Sequence, residues 1–223
     1  KSTGTWPEIL RRKLLRSPVL NMLHMFVNDF GEEFAQMIAV DSENTVAVDD
    51  TNSLRYGMRT NGKSGFVFVN HYQRLTELAD IENAVISAEN VEFPPIDVKG
   101  EVSFFMPFNM KMGDSVLECA TAQPLCKCGE TYFFAEIPNI KAEYKFSKGS
   151  ANIVTVPFEN AKYMRKLNGT VYIGGGCNLY EENGQIHSVE DGEYICQKWN
   201  GSEFETVKIV QSAKQSNVEI TGV

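Results

Sequence analysis

The stretch LRYGMRTNGKSGFVFVNHYQR, residues 54–74, decides the fold of this chain. Two runs within it, residues 54–59 and 65–70, alternate β-branched or aromatic residues with polar ones, which is typical of strands. Asn61-Gly62 lies between them, and glycine supplies the positive φ that a tight turn needs. We therefore predict two consecutive strands joined by a turn.

The same pattern continues on the C-terminal side and, more briefly, on the N-terminal side. Further strands are predicted at residues 45–48, 84–87, 102–106, 115–120, 131–136 and 142–146. Turn signals follow at Lys99-Gly100, Gly113-Asp114, Gly129 and Lys148-Gly149. Short strands at regular spacing without intervening helices indicate an antiparallel β-sandwich or barrel. Residues 38–149 are thus predicted to form a first antiparallel β unit.

Residues 150–223 are predicted to form a second, smaller β unit. Its strands are expected at residues 152–156, 171–174, 185–188, 192–197 and 205–210, with a short helix at 160–167. Hairpin turns are expected at Asn183-Gly184, Asp191-Gly192 and Asn200-Gly201. The polar tail, residues 212–223, ends in a strand-like run at 218–220, as a truncated element would.

Residues 1–37 precede the strands and have helical periodicity. Ser17-Pro18 interrupts it, because proline lacks a backbone donor and disfavours helical geometry at the residue before it, so two helices are predicted. The apolar residues recur mostly at spacings of three to five: Ile9, Leu14, Leu15, Leu20, Leu23, Met25, Phe26, Phe30 and Phe34. The predicted fold is mainly β, with two antiparallel sandwich units after an N-terminal helical segment.

Composition excludes several classes of partner. The net charge of −8 argues against nucleic acid, whose phosphates are bound by clustered lysine and arginine. The longest apolar runs are too short to span a membrane, and the N-terminus lacks the pattern of a signal peptide. A chain that begins at Lys1 without an initiating methionine is expected to be an excised fragment.

The cysteines indicate a reducing compartment. Five of them, an odd number at low density, are not the framework of a disulfide-stapled secreted protein. Reduced thiols and an acidic pI near 5.0 favour the cytoplasm.

Several of these runs resemble, in order, the region that follows the catalytic barrel in family-35 glycoside hydrolases, especially β-galactosidases. LNMLHMFVNDFGEEFAQM (residues 20–37) resembles the last outer helix of the (β/α)8 barrel, and residues 54–74 are similar to the first strands after it. The resemblance continues in VSFFMPFNMKMGDSVLECATAQPLCK (residues 102–127), TYFFAEIPNIKAEYKF (131–146) and VTVPFENAKYMRKLNGTVYIGGGCNLYEENGQI (154–186).

The resemblance implies a parent enzyme that cleaves terminal β-galactosides with retention of configuration. Such enzymes use two carboxylates about 5 Å apart, carried at the ends of barrel strands. Those strands would precede Lys1, so no carboxylate of this chain inherits a catalytic role, and the implied partner is the catalytic barrel of the same parent chain. No cofactor or metal is implied.

The carboxylates and thiols of the chain are interpreted as structural residues, with no catalytic role. Glu32 and Glu33 are neighbours on a helix and point in different directions, so we interpret them as a solvated helix face. Asp49-Asp50 is interpreted as a linker, with an oxygen-ligated Ca²⁺ site as the alternative. Cys126-Lys-Cys128 lacks a second pair of ligands for zinc, so packing thiols are the preferred interpretation.

Three aromatic residues are the candidate carbohydrate contacts: Trp199, Tyr180 and Tyr72. The alternative for each is packing in the core or a turn, because aromatic rings bury large areas. His71 follows a predicted strand, and the turn after it is expected to approach the barrel. His24 belongs to the apolar helix and is interpreted as a core or interface histidine.

Three functional hypotheses follow, in order of preference. The first is a non-catalytic accessory β region of a β-galactosidase, with an exposed apolar helix face that the barrel or a second copy of the chain would cover. The second is an autonomous carbohydrate-binding sandwich for galactose-containing glycans, which requires a row of exposed aromatic side chains. The third is an independent small enzyme, which requires a pocket with convergent titratable groups.

Overall fold

The computed structural model describes residues 18–41, 46–188 and 192–211 of the chain. It confirms the predicted mainly β fold, with several antiparallel sheets, one long helix on the N-terminal side and one short helix in the described part. The chain forms two compact units. The first is Met22–Ala161, and the second contains residues 18–21 and the described residues from Lys162 onward.

Helix α1 (Pro18–Ala35) leads into the first unit. The strands that follow are β1 (Ile38–Asp41), β2 (Tyr56–Thr60), β3 (Gly65–His71), β4 (Ile81–Ala84), β5 (Ser87–Ala88), β6 (Val91–Glu92), β7 (Ile96–Val98), β8 (Val102–Met112), β9 (Ser115–Ala120), β10 (Gln123–Cys128), β11 (Thr131–Ala135), β12 (Tyr144–Lys148) and β13 (Asn152–Val156). The short helix α2 (Phe158–Ala161) closes the unit.

A six-stranded antiparallel sheet is the centre of the first unit, in the order β1-β2-β3-β8-β9-β12. Strands β3 and β8 pair over seven residues, from Gly65 opposite Phe108 to His71 opposite Val102. Both faces of β3 are covered, since Phe66 and Val67 are each buried although they point to opposite sides.

One face of the central sheet is covered by the segment of short strands between β3 and β8. Val67 and Val69 of β3 pack there in one cluster with Ile86, Phe93 and Val98. The strands β4 to β7 form only two-stranded pairs, β4 with β7 and β5 with β6. These strands contribute to the first unit mainly the buried side chains that cover this face of the central sheet.

Helix α1 covers the opposite face of the sheet. The Phe26 ring lies 5.0 Å from the Phe66 ring and 4.6 Å from the Phe105 ring, between centroids, and Phe34 lies 6.0 Å from Phe66. Aromatic pairs at these distances contribute beyond the area that they bury. The Asp29 carboxylate also accepts a hydrogen bond from the backbone N–H of Lys127, at 2.7 Å, which ties α1 to β10.

Helix α1 begins at Pro18, where the sequence predicts a break. Proline suits the first position of a helix because its missing N–H would have no partner there. The helix predicted before this proline lies outside the described residues.

The boundary between the units differs from the predicted one at residue 150. Strand β13 belongs to the first unit because it pairs in parallel with β11, from Asn152 opposite Thr131 to Val156 opposite Ala135. With β10 it forms a three-stranded mixed sheet. The chain passes to the second unit only after Ala161.

The second unit contains β14 (Met164–Leu167), β15 (Thr170–Ile173), β16 (Leu179–Glu182), β17 (Gln185–Ser188), β18 (Gly192–Trp199) and β19 (Phe204–Gln211). Four of these strands form an antiparallel sheet in the order β14-β15-β18-β19, and β16 pairs with β17 as a hairpin. Asn183 and Gly184 both have positive φ, 52° and 77°, as the predicted hairpin turn requires. The core of the second unit contains Tyr172, Cys177, Leu179 and Cys196.

Several predicted elements are wrong in detail. Residues 46–48 are not a strand, because the Arg55 guanidinium bonds to the carbonyls of Ala47, Val48 and Asp50 and holds an irregular turn. Residues 164–167 are strand β14 rather than helix, because they pair with β15 across the turn at Asn168.

Other strands differ in extent or are missed by the sequence patterns. The predicted strand at 84–87 is broken into the ends of β4 and β5. The sequence patterns do not predict β1, β6, β7, β10, β14 and β16. Residue 45, most of the Asp191-Gly192 turn and the run at 218–220 lie outside the described residues.

We predict that Phe26→Ala lowers the free energy of unfolding of the first unit by about 3–5 kcal/mol, because it leaves a cavity among four aromatic rings. Urea unfolding followed by circular dichroism measures the loss. The matched control is Val27→Ala on the same helix, whose side chain is 51% exposed and whose truncation should cost about 0.5 kcal/mol or less. Equal losses in both variants would contradict the assignment of the buried face of α1.

Candidate functional site

The three candidate carbohydrate contacts have different environments. Trp199 is buried, and its ring packs edge-on against Phe204 with centroids 5.2 Å apart. Tyr180 is half-buried and stacks on the His187 ring at 5.3 Å. Tyr72 alone of the three is exposed, with 48% of its surface accessible. Trp199 therefore packs in the second unit, as its alternative interpretation proposed, and Tyr72 is the most exposed of the three.

Tyr72 lies at the rim of a cavity of about 600 Å³ in the first unit. Two chain segments line this cavity: the end of β3 with the loop after it, at residues 71–73, 75–78 and Asp80, and the turn before β8, with Gly100 and Glu101. They meet because His71 pairs with Val102 in the β3–β8 ladder. The Asp80 carboxylate accepts a hydrogen bond from the Gly100 N–H at 2.9 Å and joins the two segments directly.

His71 is a buried residue that lines this cavity. Only 1% of its surface is exposed, and its Nε2 atom has no hydrogen-bond partner among the described residues. A buried polar atom without a partner costs about 1–3 kcal/mol, so such atoms are uncommon in folded proteins and call for an explanation. Two other buried side-chain nitrogens share this state, on Asn21 and Arg59, and neither lines this cavity.

The loop after β3 has a defined shape. The Gln73 side-chain amide donates to the Val48 carbonyl at 3.2 Å and to the Thr76 hydroxyl at 3.3 Å. Leu75, at the tip, has a φ of 61° and is 96% exposed. Leucine seldom adopts the left-handed conformation because its Cβ crowds the backbone, so the hydrogen bonds around it hold the turn.

The cavity contains more titratable groups than the sequence indicated. The carboxylates of Glu77, Asp80 and Glu101 line it together with His71. All three carboxylates are exposed. A general acid or nucleophile works best where water is excluded, so this arrangement suits ligand binding better than hydrolysis.

A second cavity of about 580 Å³ lies around the Ile137–Ile140 turn and α2. None of its described lining residues carries a buried side-chain nitrogen or oxygen that lacks a partner. Its one lysine, Lys141, already pairs with Glu143 at 2.8 Å on the surface. We therefore regard the Tyr72 cavity as the better candidate.

The remaining predicted groups are dispersed. Glu32 and Glu33 are exposed on α1, as is His24, which is therefore not a core residue in this structure. Asp50 caps a turn: a hydrogen bond from the Ser53 side chain, together with those from the N–H groups of Asn52 and Ser53, lowers the pKa of its carboxyl. Within residues 18–41, 46–188 and 192–211, no three His, Cys, Asp or Glu side chains are grouped to hold a metal ion.

The five cysteines are all reduced. Cys128 is half-buried, and the other four are buried. Burial raises the pKa of Cys119, and burial together with the nearby Cys177 thiol raises the pKa of Cys196 to about 11. Such thiols are poor nucleophiles, which agrees with their interpretation as packing residues.

Arg165 is a buried residue that the sequence did not single out. Its guanidinium donates to the Met164 carbonyl at 2.7 Å and to the Asn178 side-chain oxygen at 2.5 Å. Burial lowers the pKa of Arg165 to about 10. Both acceptors are uncharged, and the pair fixes the turn at Asn178 to β14 within the second unit.

Helix α1 also carries exposed apolar residues, next to the face that packs on the sheet. Leu20, Leu23 and Val27 are 39%, 37% and 51% exposed, and their spacing of three and four residues aligns them in one stripe. Ile38, just after the helix, is 68% exposed. None of the helices in the described part of the chain is long and apolar enough to cross a membrane.

Comparison with known proteins adds no relative: no family model matches the chain, and no curated protein does.

We predict that a thiol reagent at pH 8 modifies Cys128 well before Cys196 in the native protein. Access to Cys196 is blocked, and with a pKa of about 11 only about one such thiol in a thousand is ionised at pH 8. Mass spectrometry of peptides after timed labelling measures the order. In urea all five thiols should react at similar rates, and equal native rates for these two would contradict the burial of Cys196.

Proposed function

We propose that this chain is the non-catalytic accessory β region of a β-galactosidase-like glycoside hydrolase. The parent enzyme would hydrolyse terminal β-galactosides with retention of configuration, in carbohydrate metabolism. Its catalytic barrel would lie on the N-terminal side of this chain, and the β units would stabilise the barrel by packing against it through α1.

The observation that carries this proposal is an apolar surface of α1 that the central sheet covers only in part. Phe26 and Phe30 are buried against the sheet. Leu23 and Val27 lie three residues before them, next to them on the helix surface, and remain exposed, although a helix at the edge of a domain usually presents polar residues there. A barrel that packs against α1 would cover this exposed margin.

The carboxylates of the first unit also fit a non-catalytic role. Glu77, Asp80 and Glu101 line the cavity next to the buried His71, but all three are exposed, and the Asp80 carboxylate accepts a hydrogen bond from the Gly100 N–H. An independent hydrolase would require a carboxyl pair shielded from water on either side of the bond that it cleaves.

An autonomous carbohydrate-binding sandwich is the alternative. A sugar platform needs a row of exposed aromatic rings, whereas Tyr72 is the one aromatic residue among the exposed large hydrophobic side chains of the described regions. A ligand that binds in the cavity next to Tyr72 would not need such a row of rings.

The first experiment is an assay of the purified chain with an aryl β-galactoside. We expect no turnover from the chain and turnover from the polypeptide that contains it in its source cell, which immunoblotting should detect at well above 25.0 kDa. Turnover by the chain alone, or a native polypeptide no larger than the chain, would refute the proposal.

We predict that the double variant Leu23→Asp/Val27→Asp destabilises the longer polypeptide by about 3 kcal/mol or more, because it buries two unpaired carboxylates against the barrel. In the isolated chain the same changes lie on the surface and should cost about 1 kcal/mol or less. Thermal unfolding of both forms measures the difference.

Asn28→Asp is the matched control, since Asn28 is exposed on the same helix but outside the stripe. It should leave both forms unchanged. Equal effects of the double variant in both forms would contradict barrel docking. A dimer of the isolated chain that the double variant dissociates would instead assign this face to a second copy.

A further inference from the structure

We propose that Asn200 is a site of spontaneous covalent modification, at which the side chain loses ammonia and the residue becomes aspartate or isoaspartate. Asn200 and Gly201 lie in the turn between β18 and β19, in the second unit. The reaction does not involve α1, so the site is independent of barrel docking.

The modification needs only the asparagine, the glycine after it and water. The backbone nitrogen of Gly201 loses its proton and attacks Cγ of Asn200. The new C–N bond closes a five-membered succinimide ring, and the side-chain nitrogen leaves as ammonia with the proton that the glycine lost. Water then opens the ring at either of its carbonyl carbons. Glycine suits this step because it has no side chain to hinder the approach of its nitrogen.

The chain contains four Asn-Gly pairs in turns, and all four asparagines are exposed: Asn61-Gly62, Asn168-Gly169, Asn183-Gly184 and Asn200-Gly201. The pairs at 168 and 183 form two-residue turns in which the asparagine has a positive φ, 50° and 52°. The pairs at 61 and 200 begin four-residue turns. Because the dipeptide is the same in all four, differences in their reactivity come from the surrounding turn.

The turn at Asn200 brings the reacting atoms together. Its Oδ1 atom accepts hydrogen bonds from the N–H groups of Ser202 and Glu203 and from the Ser202 hydroxyl, each at 3.0 Å. The bond from the Ser202 N–H closes a ring of atoms that contains both Cγ of Asn200 and the nitrogen of Gly201, which keeps the two close. The same donors stabilise the negative charge that Oδ1 gains when Cγ is attacked, as an oxyanion hole does.

The turn at Asn61 has the same build and serves as a matched comparison. Its Oδ1 atom accepts hydrogen bonds from the N–H groups of Lys63 and Ser64, both at 3.0 Å, and from the Ser64 hydroxyl at 3.4 Å. The Gly62 N–H, however, donates to the Thr60 hydroxyl at 2.9 Å. This hydrogen bond must break before the nitrogen of Gly62 can attack.

The glycine nitrogen distinguishes Asn200 from the other asparagines. Among the described residues the Gly201 N–H has no hydrogen-bond acceptor, and a side chain at Gly201 would meet no atom within 4 Å. In the turn at Asn183 the Gly184 N–H donates to the Glu181 carboxylate at 2.6 Å, whose negative charge opposes loss of the proton. Asn200 therefore combines a held Cγ with an unhindered nucleophile.

The modification changes both charge and structure at the tip of the hairpin. The product carries one more negative charge than the original chain. Isoaspartate also lengthens the main chain by one methylene group, which displaces the hydrogen bond from the Asn200 N–H to the Glu203 carbonyl, at 3.1 Å, that closes the turn. A second, more acidic form of the protein should thus accumulate with time.

The experiment is a timed incubation of the native 223-residue chain at pH 8, followed by digestion and mass spectrometry of the four Asn-Gly peptides. Chromatography separates the aspartate and isoaspartate products. We expect Asn200 to convert first, about fivefold faster than Asn61, the factor that corresponds to one neutral hydrogen bond. Conversion at Asn61 or Asn183 that is as fast as at Asn200 would overturn the proposal.

Two variants test the cause of this order. Thr60→Val removes the acceptor of the Gly62 N–H and should speed conversion of Asn61 about fivefold, with Asn200 in the same sample as the unchanged reference. Ser202→Ala removes one donor to Oδ1 and should slow conversion of Asn200 about threefold to fivefold. Unchanged rates in both variants would contradict control by the turn.

Unfolding the chain in urea provides the remaining control. Without the turns the four pairs should convert at similar rates, because they share the same dipeptide. A variant that has merely unfolded would show these equal rates at all four sites and so be recognised. If Asn200 still reacts first in urea, the neighbouring sequence rather than the folded turn decides, and the structural argument is wrong.

Discussion

The pairing of β3 with β8 is the interaction on which the rest of the first unit depends. These strands lie at the centre of the six-stranded sheet, and side chains of both strands are buried on its two faces. One face receives the layer from β4 to β7, and the other receives α1. The register of the same ladder, with His71 opposite Val102, also sets the loop after β3 beside the turn at Gly100. The β3–β8 pairing thus determines both the layers of the first unit and the position of the cavity.

Helix α1 has an apolar surface wider than the part that the sheet covers. Its phenylalanines form a close aromatic cluster with Phe66 and Phe105, which fixes the rotation of the helix about its axis. Leu23 and Val27 each lie three residues before a buried phenylalanine, so with that rotation fixed they stand at the margin of the covered face, and both are exposed. The exposed stripe is therefore a rigid surface, and it is the feature that makes an accessory role for the chain specific enough to test.

The cavity at Tyr72 combines features that cost stability. A buried imidazole nitrogen without a partner among the described residues and a leucine in the left-handed conformation both oppose folding. Hydrogen bonds from Gln73 and from the Gly100 N–H hold the loop in spite of them. Proteins commonly retain such unfavourable features where a surface has a task besides folding, and the same loop carries the one exposed aromatic ring of the three candidates.

The sequence by itself determined the local elements. Alternation in residues 65–70 and 115–120 predicted β3 and β9 closely, Pro18 marked the start of α1, and Asn183-Gly184 marked a hairpin, because periodicity and turn chemistry are local properties. Strands with weak alternation, such as β14, escaped prediction because pairing with β15 stabilises them. Only the tertiary structure decided which aromatic ring is exposed, where His71 lies and which face of α1 is covered. Those outcomes depend on residues far apart in the sequence that the fold brings together, such as His71 with Val102 and Phe26 with Phe105, and no local pattern encodes such a meeting.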